Sequence, residues 1–173
     1  MLAVSLGRRH HERHTGKKVK QGIIIFITVI LVLTLTSCRQ NEVDGIFIDH
    51  TLYENQSVSD NRELRQLIRL TLSKDEKSLA KLIDFWCGGA AGCYDLGFIV
   101  TQIIYKLGEK EFLTMVAKLN SNDVNGLEGL IIVGLEYGDN DKDGKMDNKR
   151  IENEFPELFK LIETKRLNKK QNH

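Results

Sequence analysis

The sequence predicts an all-α fold, either a compact bundle or stacked helical hairpins of five to six helices. Three observations lead there. From Ser59 onward apolar residues recur at i, i+3, i+4 and i+7, the spacing that lines one face of a helix. These stripes run about 10 to 14 residues, the ordinary length of a globular helix, and are bounded by Ser, Asp, Pro and Gly at starts and stops. The 173 residues are 41% hydrophobic and 28% charged, a composition that fits one globular domain and excludes wholesale disorder. No fixed-period repeat is visible.

Taken in order, residues 39 to 58 carry a short apolar patch, Ile46-Phe47-Ile48, and no helical period, so 38–58 is expected to be a tether with at most one short strand. Leu64, Leu67, Ile68 and Thr71 define a first helix, capped by Ser59 or Asp60. Ser73 with Glu76 reads as a capping box opening a second helix, whose face is Leu79, Leu82, Ile83 and Trp86 and which stops at Cys87-Gly88-Gly89. A third stripe, Leu96, Ile99, Val100, Ile103, Ile104 and Leu107, takes Asp95 as its N-cap and Gly108 as its stop. Phe112, Met115, Val116 and Leu119 form a fourth. Residues 126–137 read as a helix interrupted by glycines or as a buried strand, with helix favoured. A last helix starts near Pro156, a residue suited to the first turn, and shows Phe155, Leu158, Phe159 and Ile162. These stripes are expected to be core, with Trp86 and Tyr94, which flank the glycine loop, as the exceptions.

Two cysteines, Cys87 and Cys93, close that short glycine loop. A disulfide is the expected state, contributing roughly 2 kcal/mol by chain entropy. Zinc is disfavoured, because beyond residue 38 the only histidines are His50 and His173, and neither stands at ligand spacing from the pair. The loop also lacks the Lys-Ser/Thr that a phosphate-binding loop needs.

The N-terminus is organised differently. Residues 1 to 20 are basic and polar, residues 23 to 35 (IIIFITVILVLTL) are an apolar run, and Leu35-Thr36-Ser37-Cys38 follows at once. As a helix the run would be roughly 20 Å long at about 1.5 Å per residue, short of the about 30 Å hydrocarbon core of a bilayer. The order is that of a secretory leader with its cleavage site. The last four residues resemble the lipobox of bacterial lipoproteins. That resemblance implies a signal peptide over 1–37 and a lipid-modified Cys38 at the mature N-terminus, which would hold the helical domain read from periodicity over 59–173 at the bacterial cell envelope. Arg39 rather than Asp after the cysteine leans toward the outer membrane.

Residues 139 to 150 resemble an EF-hand calcium loop. Asp139, Asp141, Asp143 and Asp147 stand at positions 1, 3, 5 and 9, Gly144 at the sharp turn, and Lys145 at the position that offers only a backbone carbonyl. The loop departs from the pattern at its last position, where Arg150 replaces the bidentate Glu. Affinity is therefore expected to be weak unless Glu152 or Glu154 swings in. The alternative is a plain acidic Asp-Gly turn.

The function classes narrow accordingly. Six of the 25 basic residues and one of the 24 acidic residues precede Cys38, which leaves a net charge of −4 on the rest and argues against a nucleic-acid partner. No Gly-x-Ser-x-Gly, His-Glu-x-x-His or cysteine-histidine pair at a familiar spacing is present, so no enzyme and no catalytic residue are expected. The leading expectation is a membrane-anchored helical module that binds a protein partner, with toxin neutralisation, as in immunity proteins, one such task. The alternatives are an envelope-associated hydrolase and a structural envelope component.

Overall fold

A computed structural model describes residues 41–171. The leader and Cys38 lie outside the described residues. Among those described the fold is all-α, eight helices and one two-stranded hairpin, as the periodicity predicts. None of these helices is long and apolar enough to cross a membrane.

The chain enters through strands β1 (Glu42–Val43) and β2 (Ile46–Phe47), paired antiparallel with Val43 opposite Ile46. Asp44 and Gly45 make the turn at φ 48° and 80°. Two positive φ values in a two-residue loop suit an Asp-Gly hairpin, because that turn matches the strand twist. Helix α1 (His50–Asn55) follows, and Val43, Ile46, Ile48 and Leu52 are each at most 1% exposed. Residues 41–58 therefore belong to the folded body rather than to a tether. Four apolar side chains bury themselves here in a pattern too short to show a period. Gln102 clasps the hairpin edge, accepting from Phe47 N at 2.8 Å and donating to Phe47 O at 2.9 Å.

Helix α2 (Val58–Leu72) is capped by Ser57, in a reciprocal box with Asp60, so the cap falls two residues before Ser59 and three before Asp60. Helix α3 (Glu76–Ile83) is capped by Asp75, whose carboxylate accepts from Ser78 N, so the Ser73 and Glu76 pair is not its box. The polypeptide leaves helix geometry after Ile83, which puts Trp86 beyond the apolar face and 68% exposed.

Helix α4 (Ala90–Leu107) is the central element, its Leu96, Ile99, Val100, Ile103 and Ile104 at most 1% exposed. It begins at Gly89 rather than at Asp95. Asp95 instead lies within the helix and accepts from Leu52 N at 2.7 Å, serving the first turn of α1. Gly108, at φ 82°, ends α4 and begins α5 (Glu109–Val116). Helix α6 (Ser121–Tyr137) resolves the ambiguous segment: Val124, Leu127, Ile131, Gly134 and Leu135 are buried, a spacing of three and four, while Gly129, which a strand would place on the same face as Leu127 and Ile131, is exposed. The short α7 (Ile151–Glu154) and the C-terminal α8 (Pro156–Gln171) complete the body. Glu109 of α5 accepts from Leu158 N at 2.8 Å, satisfying a free donor at the start of α8.

The closest crossing is between α4 and α6. A Cβ on Gly97 would meet Leu130 O at 2.5 Å, and one on Gly134 would collide with the Gly97 carbonyl. These two glycines let the backbones touch, which holds the C-terminal end of α6 and the loop after it against the core.

Candidate metal centre

Helix α6 delivers the chain to Gly138, and α7 collects it at Ile151, so the acidic loop 139–150 is bracketed by helices as a calcium loop requires. The returning limb is tied down by backbone bonds. Asp147 N donates to Gly138 O at 3.0 Å, Asn148 N to Glu136 O at 3.1 Å and Lys149 N to Leu135 O at 2.9 Å.

The loop is wound around its first carboxylate. Asp139 accepts from Asp143 N at 2.9 Å and from Gly144 N at 3.0 Å. Gly144 turns at φ 83°, the left-handed geometry its place in the loop demands. Asn140, between the first two acids, faces inward. Its side chain donates to Gly134 O at 2.9 Å and to Asp147 Oδ2 at 2.8 Å, and accepts from the buried Thr101 hydroxyl at 2.8 Å.

Single carboxylate oxygens of Asp139, Asp141 and Asp147 lie within 4.8 Å of one another. Oxygens on opposite sides of a calcium ion at about 2.3 to 2.6 Å are about 4.6 to 5.2 Å apart, so the trio fits such an ion. Asp147 supplies the deepest oxygen. Its side chain is 1% exposed, and Oδ1 is buried with no hydrogen-bond partner. A buried carboxylate oxygen left without a donor is a costly arrangement that a cation would relieve.

Asp143 is not part of the trio; its Oδ1 accepts from Lys145 N at 2.9 Å. Arg150, at the last loop position, pairs with Glu152 at 3.4 Å on a side chain 76% exposed. Glu154 accepts from the Tyr105 hydroxyl at 2.6 Å, a bond that, after burial, pushes the phenol pKa up. In this structure neither Glu152 nor Glu154 closes the shell.

Lys149 stands there instead, its Nζ 3.3 Å from Asp147 and 3.7 Å from Asp141. Burial pushes the Asp147 pKa up, but the side-chain and backbone donors of Asn140 and the Lys149 ammonium outweigh it and hold this carboxyl below its ordinary value. Burial likewise works against the charge of Lys149, and Asp147, Asp141 and Glu154 together overcome it and raise its pKa. The loop thus carries an internal cation that partly neutralises the acids and competes with any metal.

The sulfur atoms of Cys87 and Cys93 lie at disulfide bonding distance, with Cα atoms 4.9 Å apart. Gly88, at φ 74°, and Gly89, at φ 134°, make the turn between them. Sequence reasoning missed Asn140, Thr101 and Lys149. The available signal was a polar pair, Thr101 and Asn140, placed where the stripe of α4 and the loop would meet. No family model matches this chain, and comparison with curated proteins and with solved structures gave no match either.

Proposed function

We propose that this protein is a lipid-anchored lipoprotein of the bacterial envelope, fixed through Cys38, whose helical body binds a protein partner and whose acidic loop holds calcium in a structural role. The observation that carries the binding reading is Trp86. It is the chain's one tryptophan, it stands 68% exposed, and it directly precedes Cys87 of the cystine. Large exposed aromatics on a pinned loop are characteristic anchors of interfaces, since little side-chain entropy is lost when they are covered. Neutralising a toxin would be one task for such a module.

The leader and lipobox support the anchor, and the cystine supports an oxidising compartment. The fit of Asp139, Asp141 and Asp147 to a hard cation supports calcium. In that role Asp139, Asp141 and Asp147 would hold the ion with the Lys145 carbonyl, and the ion would join the end of α6 to the start of α7. With no bidentate residue at the last position, affinity belongs to the weak extracellular range of about 10⁻⁴ to 10⁻³ M.

A photo-crosslinking residue placed at Trp86 in cells that make the protein tests the binding reading. A discrete adduct that is lost when the crosslinker sits instead at the exposed Lys160 of α8 is the expected result. No adduct at either position would contradict it.

A further inference from the structure

Trp86 borders an open groove of about 630 Å³ between the start of α2, the end of α3 and the start of α6. Its wall is acidic: Asp60, Glu63, Asp84 and Asp123 stand against one cation, Lys81. Asp60 is occupied by the cap of α2 and Asp123 accepts from Asn120, but Glu63 and Asp84 are exposed and make no side-chain hydrogen bond or ion pair among the described residues. Gln56 also lines the groove and is only 9% exposed. Its amide nitrogen donates to Trp86 O at 2.7 Å, while its Oε1 is buried without a partner. The groove therefore combines unpaired carboxylates, an acceptor that lacks a donor, and an exposed aromatic face.

Resting on the binding-module reading, we propose that this groove takes a lysine- or arginine-bearing segment of a protein partner. Each feature asks for the same chemistry. A guanidinium or ammonium stacks on a tryptophan face through the ring quadrupole, pairs with carboxylates, and donates to an unsatisfied carbonyl. Complementary charge also draws such a segment in from solution and rejects acidic surfaces, phosphate-bearing ones included. The cystine next to Trp86 holds the aromatic wall in place before the partner arrives, which lowers the ordering cost of docking.

Because Trp86 is the sole tryptophan, its emission reports on the groove directly. The full chain, purified in an uncharged detergent, is titrated with hexa-arginine and, in parallel, with hexaglutamate. The expected result is a saturable change in Trp86 emission with hexa-arginine alone. The dissociation constant should rise at least fivefold in the Glu63→Gln/Asp84→Asn double variant, whose surface positions leave thermal unfolding unchanged, and at 0.5 M salt. No saturable response, or an unaltered constant in the double variant, overturns the proposal. So does self-association of the free chain that buries Trp86, which would assign the groove to a second copy. A Trp86 crosslink in cells together with a silent hexa-arginine titration would overturn the basic-segment inference and leave the binding module standing.

Discussion

Asp147 shows how one side chain links the core to the acidic loop. Its Oδ2 accepts from Asn140 N at 2.9 Å and from Asn140 Nδ2 at 2.8 Å, and Asn140 in turn bonds Thr101 of α4. Its folded pKa is depressed below that of the unfolded chain. The unfolded state therefore binds the proton more readily, and the stabilisation is present above the unfolded pKa and lost as pH falls through the folded one. In a metal-free buffer at neutral pH, Asp147→Asn should cost about 1 to 2 kcal/mol, because a buried charge-assisted pairing is weakened. The difference between denaturant melts of the two proteins should begin to shrink near about pH 4, where the unfolded carboxylate protonates, and close as pH falls through the depressed folded value. A difference that stays constant down to pH 2 would show that the charge is not what stabilises.

Lys149 makes the opposite prediction for metal. Its ammonium sits 3.3 Å from Asp147, so it repels an incoming divalent ion and occupies the oxygens that ion needs. Removing it in Lys149→Met should tighten calcium binding roughly tenfold, the order expected for one unit charge near the site at intermediate dielectric. Calorimetric titration with calcium chloride reads this directly. Unchanged or weaker binding in the variant would mean that Lys149 is not the competitor.

At the scale of elements, α4 and α6 decide the architecture, and two glycines of α6 should behave oppositely. A Cβ on Gly134 would meet the Gly97 backbone and Thr101 Cγ2, the latter at 2.8 Å, so Gly134→Ala forces the helices apart at a cost of roughly 2 to 3 kcal/mol. A Cβ on Gly129 meets nothing within 4 Å, and Gly129→Ala should raise stability by about 0.5 to 1 kcal/mol through helix propensity and a less flexible unfolded chain. Urea midpoints of the two variants should move in opposite directions.

The helices were legible because their buried faces repeat: Leu96 to Ile104 and Leu158 to Ile162 show in sequence the positions that the fold buries. What escaped was short or non-periodic. The Asp44-Gly45 hairpin and α1 bury Val43, Ile46, Ile48 and Leu52 in stretches of two to six residues, where neither period can establish itself. The caps slipped by a few residues because Ser57, Asp60, Ser73 and Asp75 are all chemically able to cap, and only the tertiary entry angle selects among them. In the loop, spacing pointed to Asp139, Asp141, Asp143, Lys145 and Asp147, of which Asp139, Asp141 and Asp147 bring their carboxylates together. It could not show that Asp143 turns to the backbone N–H of Lys145 or that Lys149 reaches back across the site, since both depend on the path of the returning limb.

At the scale of the whole molecule, the proposed anchor would tether the helical body through an acylated Cys38. The body has a continuous core from Val43 to Ile162, an acidic loop on one helix pair and an exposed tryptophan beside a cystine. Such a body needs no spanning helix to reside at a membrane, because several acyl chains on one residue suffice, each buried CH₂ contributing about 0.8 kcal/mol.

Metabolic labelling with radioactive palmitate in an expressing bacterium, followed by fractionation, tests that claim most directly. Wild type should incorporate label and sediment with membranes, and Cys38→Ala should lose the label and remain at precursor length. Equal labelling and equal membrane association of the two would contradict the anchor and, with it, the proposal that this domain works at an envelope surface.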